Sequence, residues 1–208
     1  GTWFNFDDQP ASMYYELIKT TYPAVKAKYP DIRMWGMSTI GVDNKWIEDV
    51  LKMGGGEYMD GISIHPYTFK LMPDLGDAIH KTLKLKEIIK KYGYNDETMP
   101  LRATEWGWPS CGINGYLNEA EQASAFIRMM VLNDHYDLFE QIDWYTINDG
   151  GDQPEQEQSF GFIRFMNGKI PYGVKPSYLN ACNYNKLMTD AVYEKNVKIG
   201  DDVESYKY

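Results

Sequence analysis

The 208-residue sequence has few cysteines and no long hydrophobic run, and each scarcity excludes a class of protein. Two cysteines, Cys111 and Cys182, are too few for a disulfide framework or a zinc site. They leave two alternatives, one bridge or two free thiols. The longest apolar run has about four residues (129–132), whereas a membrane span needs about 20. We therefore expect a globular chain with no membrane partner.

Basic residues are also scarce, since 21 Lys and Arg stand against 30 Asp and Glu and give a net charge of −9. Nucleic-acid binding draws its affinity from Lys and Arg, so we expect no nucleic-acid partner. No glycine-rich phosphate loop follows a predicted strand, which argues against a nucleotide-binding fold. The three histidines, at 65, 80 and 135, have no carboxylate or cysteine at ligand spacing. We therefore expect neither a metal site nor a cofactor.

Strand-like and helix-like segments alternate along the chain. The strands begin near residues 32, 59, 100 and 142, and the helices are predicted at 12–28, 44–53, 75–92, from Asn118 onward, and 176–190. Asn118 and Glu121 have the spacing of a capping box. This alternation predicts βαβ units and a parallel sheet. Four units fit either a small doubly wound sheet or half of an eight-stranded barrel.

The segment at 100–109 ends in a carboxylate followed by aromatic residues. Strand alternation places Leu101, Ala103 and Glu105 on one face, with the carboxylate at the carboxyl end. In a barrel that end holds the active site. A glutamate that ends a strand is ordinarily a solvated surface residue, but the following glycine and two tryptophans make that role less attractive here. Asp60 and Asp143, by contrast, lie low in their predicted strands.

Two further strands end in polar and aromatic groups. Gly61, Ser63, His65 and Tyr67 share one face of the second strand, and aromatic and polar residues follow one another at 143–149. A core histidine and packing aromatics are the alternative interpretation. The acidic residues from 149 to 157 predict a solvated loop, with a sugar-cleft rim or a weak Ca²⁺ site as alternatives. Three successive strands with such ends favour a shared site.

These motifs together resemble a known family. Residues 104–109 (TEWGWP), His65-Pro66-Tyr67, and Trp144-Tyr145 with Asp149 resemble the last strands of retaining glycoside hydrolases of clan A, closest to families 39 and 5. The stretches at 159–162 and 175–178 agree with that pattern. The resemblance covers residues 1–190 and implies an α/β fold of the (β/α)8 TIM-barrel type, of which this half-barrel fragment would hold strands five to eight. Residues 191–208 would form an extended tail or start a truncated β-domain.

The resemblance also implies roles for individual residues. Glu105 matches the nucleophile, Tyr67 the hydroxyl that hydrogen-bonds to it, and His65 a substrate-site position. Tyr145, or alternatively Trp144, matches the aromatic floor of the sugar subsite. The remaining candidates for substrate binding are Trp3, Trp106, Trp108 and Asp149.

The clan's acid/base has no match in this sequence. That residue is a Glu in an Asn-Glu pair, and no such pair followed by proline occurs here. Retaining hydrolysis needs two carboxyl groups about 5–5.5 Å apart. The chain begins Gly1-Thr2-Trp3 without a methionine, and Gly1-Thr2-Trp3-Phe4 resembles the stretch just after that pair in the clan. We therefore expect an excised piece that is inactive alone.

The expected parent is a secreted O-glycosyl hydrolase, extracellular or periplasmic, which cleaves β-linked oligo- or polysaccharides by double displacement. Its partners would be a carbohydrate substrate and either the missing amino-terminal half of the barrel or a second copy of the fragment. Two alternatives stay open. One is a non-catalytic carbohydrate-binding half-barrel or pseudoenzyme, and the other is a small doubly wound α/β protein.

Overall fold

The computed structural model describes residues 10–165, 173–199 and 205–208. These residues form two compact units. The first holds the described residues up to 68 together with 77–106 and 139–144. The second holds residues 69–76 and 107–138 and the described residues from 145 onward.

The first unit is a parallel sheet with alternating helices. Its elements are α1 (Ala11–Lys28), β1 (Trp35–Ile40), α2 (Asn44–Lys52), β2 (Gly61–His65), α3 (Ala78–Lys91), β3 (Leu101–Trp106) and β4 (Gln141–Trp144). A 3-10 turn, Gly55–Tyr58, precedes β2. The strands pair in the order β1-β2-β3-β4, each parallel to the next. The predicted βαβ organisation is confirmed, and α1 runs through Pro23 without interruption.

Local chemistry explains where α2 begins and ends. The Asp43 side chain accepts a hydrogen bond from the backbone N–H of Trp46 and so caps the helix. Gly54, with φ of 87°, then takes the left-handed conformation that favours glycine and turns the chain toward β2. On the sheet, Ile62 and Ile64 are fully buried with Leu101 and Ala103 of β3. One face of the sheet is therefore an apolar core.

The opposite face of β2 carries Gly61, Ser63 and His65. Gly61 leaves room for the Trp35 ring, since a Cβ built on Gly61 would lie 2.3 Å from that ring. The Arg102 guanidinium stacks on the same ring, 4.0 Å from its centroid. Small residues near the amino end of this face thus make space for a stacked aromatic, and His65 lies at the carboxyl end.

Asp60 lies at the amino end of β2, as the sequence predicts. Its carboxylate accepts hydrogen bonds from Tyr22 Oη, Lys26 Nζ and the Met34 N–H at 2.7–2.8 Å. Burial alone would raise the pKa of Asp60, but these three donors outweigh burial and lower it. Burial and the same carboxylate raise the pKa of Tyr22 to about 12. Asp60 therefore joins α1 to the sheet and is fully engaged.

The second unit contains α4 (Glu119–Tyr136), a 3-10 turn (Gln156–Gln158), α5 (Pro176–Met188) and an antiparallel pair, β5 (Lys195–Asn196) and β6 (Tyr206–Lys207). The predicted capping box of α4 is confirmed, because the Asn118 side chain accepts the backbone N–H groups of Ala120 and Glu121, and the Glu121 side chain accepts the backbone N–H of Asn118. Among the described residues, no helix combines the length and apolar character needed to cross a lipid bilayer.

The two outer strands of the sheet generate a first prediction. Within the described ranges, β1 and β4 each pair with a strand on one side only. Unpaired edges offer backbone groups to another chain, so we predict that the 208-residue chain, expressed alone, self-associates. Light scattering measures this directly. A monodisperse monomer that unfolds cooperatively would contradict the prediction.

Candidate active site

Three predicted residues meet at the carboxyl end of the sheet in the first unit. The Tyr67 hydroxyl donates a hydrogen bond of 3.0 Å to Glu105 Oε2, and His65 Nδ1 lies 3.5 Å from the same oxygen. The Glu105 side chain is 41% exposed and that of His65 only 15%. Solvent therefore reaches the Glu105 carboxylate, which lies against the largely buried His65 imidazole.

The strand register shows that regular alternation does not account for the direction of Glu105. Leu101 pairs with Ile62 and Ala103 with Ile64, so these residues belong to the buried apolar face. Alternation would place Glu105 on that face as well. The expectation that Leu101, Ala103 and Glu105 share a face is therefore wrong.

A register shift in β3 turns Glu105 toward His65. Ala103 pairs with Ile142 and Trp106 with Trp144, so β3 advances three residues where β4 advances two. Such a bulge adds one residue and re-aims a side chain. Thr104 and Glu105, although adjacent in sequence, consequently both contact the His65 imidazole.

Thr104 belongs to this cluster although the sequence analysis gave it no role. Its Oγ1 lies 3.0 Å from His65 Nε2. Burial lowers the pKa of His65, and the negative charge of Glu105 opposes that effect without reversing it. A lowered pKa favours the neutral imidazole. A hydroxyl residue opposite a histidine in the neighbouring strand is the sequence feature that points to this contact.

The two carboxylate oxygens of Glu105 have different surroundings. Oε2 accepts from Tyr67 and faces His65, whereas no donor in the described part of the chain reaches Oε1. A carboxylate held through one oxygen is oriented, and its other oxygen is available to a ligand. Chemically, this arrangement suits a nucleophile or an electrostatic stabiliser.

Of the predicted tryptophans, Trp106 is a core residue. Its side chain is fully buried and its ring makes an edge-to-face contact with Phe139, with centroids 5.8 Å apart. A buried ring has no face to offer a sugar, so we leave Trp106 out of the proposed site. Trp144 ends β4 and is half-buried. Trp3 lies outside the described residues.

The other predicted residues lie in the second unit. Trp108 is fully buried, and its Nε1 donates a hydrogen bond of 2.8 Å to the Leu71 carbonyl, so this ring too offers no face to a sugar. Tyr145 is half-buried, with its ring edge-on to Phe160. Gly107 is required where it stands, since a Cβ there would lie 2.2 Å from the Tyr145 carbonyl oxygen.

Asp149 is held in place rather than lying in a solvated loop, which corrects the sequence expectation. Its Oδ1 accepts from Lys175 Nζ at 2.6 Å and from the Gly161 N–H at 2.8 Å. Lys175 is only 1% exposed, and its ammonium also donates to Ser110 Oγ and to the Ser159 carbonyl. The sequence showed the 175–178 motif but gave no sign that its lysine is buried.

The pKa shifts of this pair show how strongly each group depends on the other. Burial raises the pKa of Asp149, with the hydrogen bond from Lys175 opposing it. Burial likewise lowers the pKa of Lys175, with the Asp149 carboxylate opposing it. Loss of either partner would leave an uncompensated charge in the interior.

Gln122 of α4 is a second buried polar residue that the sequence analysis missed. Its Nε2 donates to the Trp108 carbonyl at 2.7 Å, and its Oε1 accepts from Ser177 Oγ at 2.8 Å. The residue is fully buried, so these hydrogen bonds satisfy its amide. Gln122 thereby fixes the backbone that follows β3 to the start of α5.

In the described ranges no group of three or more His, Cys, Asp or Glu side chains is placed to hold a metal ion. Cys111 and Cys182 are free thiols, which decides between the two alternatives for the cysteines.

Comparison with known proteins gives matches among solved structures only, because no family model and no curated protein matches the chain. A family 39 glycoside hydrolase from Bacteroides cellulosilyticus WH2 is similar at 27% identity with a TM-score of 0.73, over 90% of this chain and 40% of its own length. A family 51 α-L-arabinofuranosidase from Bifidobacterium longum follows at 13% identity and a TM-score of 0.66, over 99% of this chain and 48% of its own.

A family 17 β-1,3-glucanosyltransferase from Rhizomucor miehei is also similar, at 17% identity with a TM-score of 0.53, over 78% of this chain and 56% of its own length. The chain thus spans less than half of the first two structures. It has the α/β fold of part of a TIM barrel, and its structural neighbours are glycoside hydrolases. The glycoside-hydrolase resemblance and the barrel-type fold predicted from the sequence are confirmed.

The buried ion pair of Lys175 and Asp149 generates a prediction on stability. Lys175→Met should lower the free energy of unfolding by about 3–5 kcal/mol, because Asp149 is left as an unpaired buried charge. Urea denaturation at fixed protein concentration measures the loss. Lys207→Met is the matched control, since Lys207 pairs with Glu194 at the exposed surface and should change little. Equal effects of the two substitutions would contradict the assignment.

Proposed function

We propose that this chain supplies the nucleophile side of a retaining glycoside hydrolase active site, with Glu105 as the nucleophile. The observation that supports this most is the asymmetric carboxylate. Oε2 is held by Tyr67 and faces His65, whereas no donor among the described residues reaches Oε1, at the carboxyl end of a parallel sheet. In barrel enzymes this end of the strands is where catalytic groups lie.

The proposed reaction proceeds by double displacement. Glu105 Oε1 attacks the anomeric carbon, the bond to the leaving oxygen breaks, and a second carboxyl group protonates that oxygen. Water then attacks the same carbon, the ester bond to Oε1 breaks, and the second carboxylate takes the proton of the water. We assign no residue of this chain to the second carboxyl group.

Tyr67 and His65 would act on the other oxygen of the nucleophile. During attack the charge leaves the carboxylate, and Oε2 becomes the carbonyl oxygen of the glycosyl ester. A hydroxyl that donates to Oε2 fixes the plane of the carboxylate before attack. It thereby lowers the cost of orienting the nucleophile.

The substrate assignment rests on the resemblance and on the neighbours. Two of these neighbours are an arabinofuranosidase and a β-1,3-glucanosyltransferase, and both enzymes act on carbohydrates. We propose a β-linked oligo- or polysaccharide as the substrate, with Trp144, which ends β4 of the same sheet, as a candidate sugar contact. An extracellular or periplasmic location is proposed on the same basis. The alternative is a carbohydrate-binding protein without catalysis, favoured by the lack of an assigned second carboxyl group.

Trapping the intermediate tests the nucleophile. The test uses a longer protein that contains this chain together with the rest of the barrel. This protein is treated with a 2-deoxy-2-fluoro glycoside, and the labelled residue is identified by peptide mass spectrometry. We predict a label on Glu105. Glu105→Gln should abolish labelling and lower kcat by several orders of magnitude, because covalent catalysis is lost.

The exposed Glu87→Gln serves as the control and should keep full activity. A label on any other residue would overturn the assignment. Sugar binding without turnover or labelling would favour the non-catalytic alternative.

Tyr67→Phe tests the hydroxyl that holds Oε2. One hydrogen bond to a charged group contributes about 1.5–3 kcal/mol, so kcat in the completed barrel should fall about 10- to 100-fold. KM should change little, because the hydroxyl acts on the nucleophile. Tyr29→Phe, at an exposed tyrosine, is the matched control. Unchanged kcat in Tyr67→Phe would show that the hydroxyl has no part in catalysis.

A further inference from the structure

The His65 imidazole faces a different partner with each ring nitrogen. Nδ1 lies 3.5 Å from Glu105 Oε2, and Nε2 lies 3.0 Å from Thr104 Oγ1. A neutral imidazole has a single N–H, and its other nitrogen only accepts. The tautomer of His65 therefore determines which partner receives the hydrogen.

The chemistry of the two partners differs in one respect. An ionised carboxylate accepts hydrogen bonds and cannot donate them, whereas a threonine hydroxyl does both. With the hydrogen on Nε2, the lone pair of Nδ1 would face the negative oxygen of Glu105. With the hydrogen on Nδ1, the protonated nitrogen is the one that lies 3.5 Å from that oxygen, and the Thr104 hydroxyl can rotate to donate to Nε2. Only the second arrangement gives both nitrogens a favourable partner.

We propose that Thr104 is a positioning residue whose hydroxyl donates to His65 Nε2 and so holds neutral His65 with its N–H on Nδ1, aimed at Glu105 Oε2. For its catalytic consequence this inference rests on the proposed role of Glu105 as nucleophile. The proposed tautomer rests on the two distances and on the hydrogen-bonding chemistry of the two partners, and it does not depend on the role of Glu105 in catalysis.

The bulge of β3 is what makes this arrangement possible. Successive residues of a regular strand point to opposite faces, so Thr104 and Glu105 could not both reach one imidazole. The shift between Ala103 and Trp106 brings the two side chains to the same ring. Thr104 then fixes the ring from one side while Glu105 and Tyr67 meet on the other.

The experiment is ¹⁵N magic-angle-spinning NMR on the full chain labelled at histidine, because this method tolerates self-association. The three histidines give few resonances, and loss of a set in His65→Gln assigns His65. We expect Nδ1 protonated and Nε2 unprotonated near neutral pH. Thr104→Val should move the Nε2 resonance downfield, as happens when an accepting nitrogen loses its donor. Thr104→Ser, which keeps the hydroxyl, should leave that resonance near its original position.

Two results would overturn the proposal. The first is a protonated Nε2 in the unaltered chain, which needs no variant to be folded. The second is an Nε2 resonance that is the same in Thr104→Val and in the unaltered chain, with Thr104→Ala as a second hydroxyl-free variant. These spectra do not depend on activity. Failure to label Glu105 would refute the proposed function and leave the proposed tautomer standing. A protonated Nε2 would refute the tautomer and leave the proposed function standing.

Discussion

Thr104 and Glu105 are consecutive residues of β3, yet both contact the imidazole of His65. The irregular pairing between Ala103 and Trp106 permits this, because it inserts one residue between two regular portions of the strand. The apolar face stays intact, since Ala103 before the shift and Trp106 after it are both fully buried. One local distortion therefore keeps Trp106 in the core and also turns the Glu105 carboxylate to the opposite face. The orientation of the candidate nucleophile depends on this distortion.

Much of the fold could be predicted because it follows from periodicity and local chemistry. The alternation of strands and helices and the capping box at Asn118 depend on residues close in sequence, and both are confirmed. The residues that form the buried face of α4 were harder to predict from the sequence. Gln122 is buried there although it is polar, and Val131 is only half-buried although it is apolar. The partners of a helix determine its buried face, and they lie far away in the sequence.

The candidate site was predictable in its members and not in its geometry. His65, Tyr67 and Glu105 stood out as polar groups at strand ends, and the structure brings them together. Thr104 was missed because no residue type or pattern in a single sequence marks the position of a bulge. Lys175 was missed for a related reason. A lysine is ordinarily exposed, and the partners that compensate the burial of Lys175, the Asp149 carboxylate above all, come from distant segments.

The bulge in β3 places Glu105 against Tyr67, and a double-mutant cycle of these two residues measures whether they interact in solution. Free energies of unfolding are measured at fixed concentration for the unaltered chain, Tyr67→Phe, Glu105→Ala and the double variant. We predict a coupling free energy of about 1 kcal/mol, below the value for a buried charged hydrogen bond because solvent reaches the carboxylate. Strictly additive effects would show that the two side chains do not meet in solution and that the bulge does not place Glu105 as described.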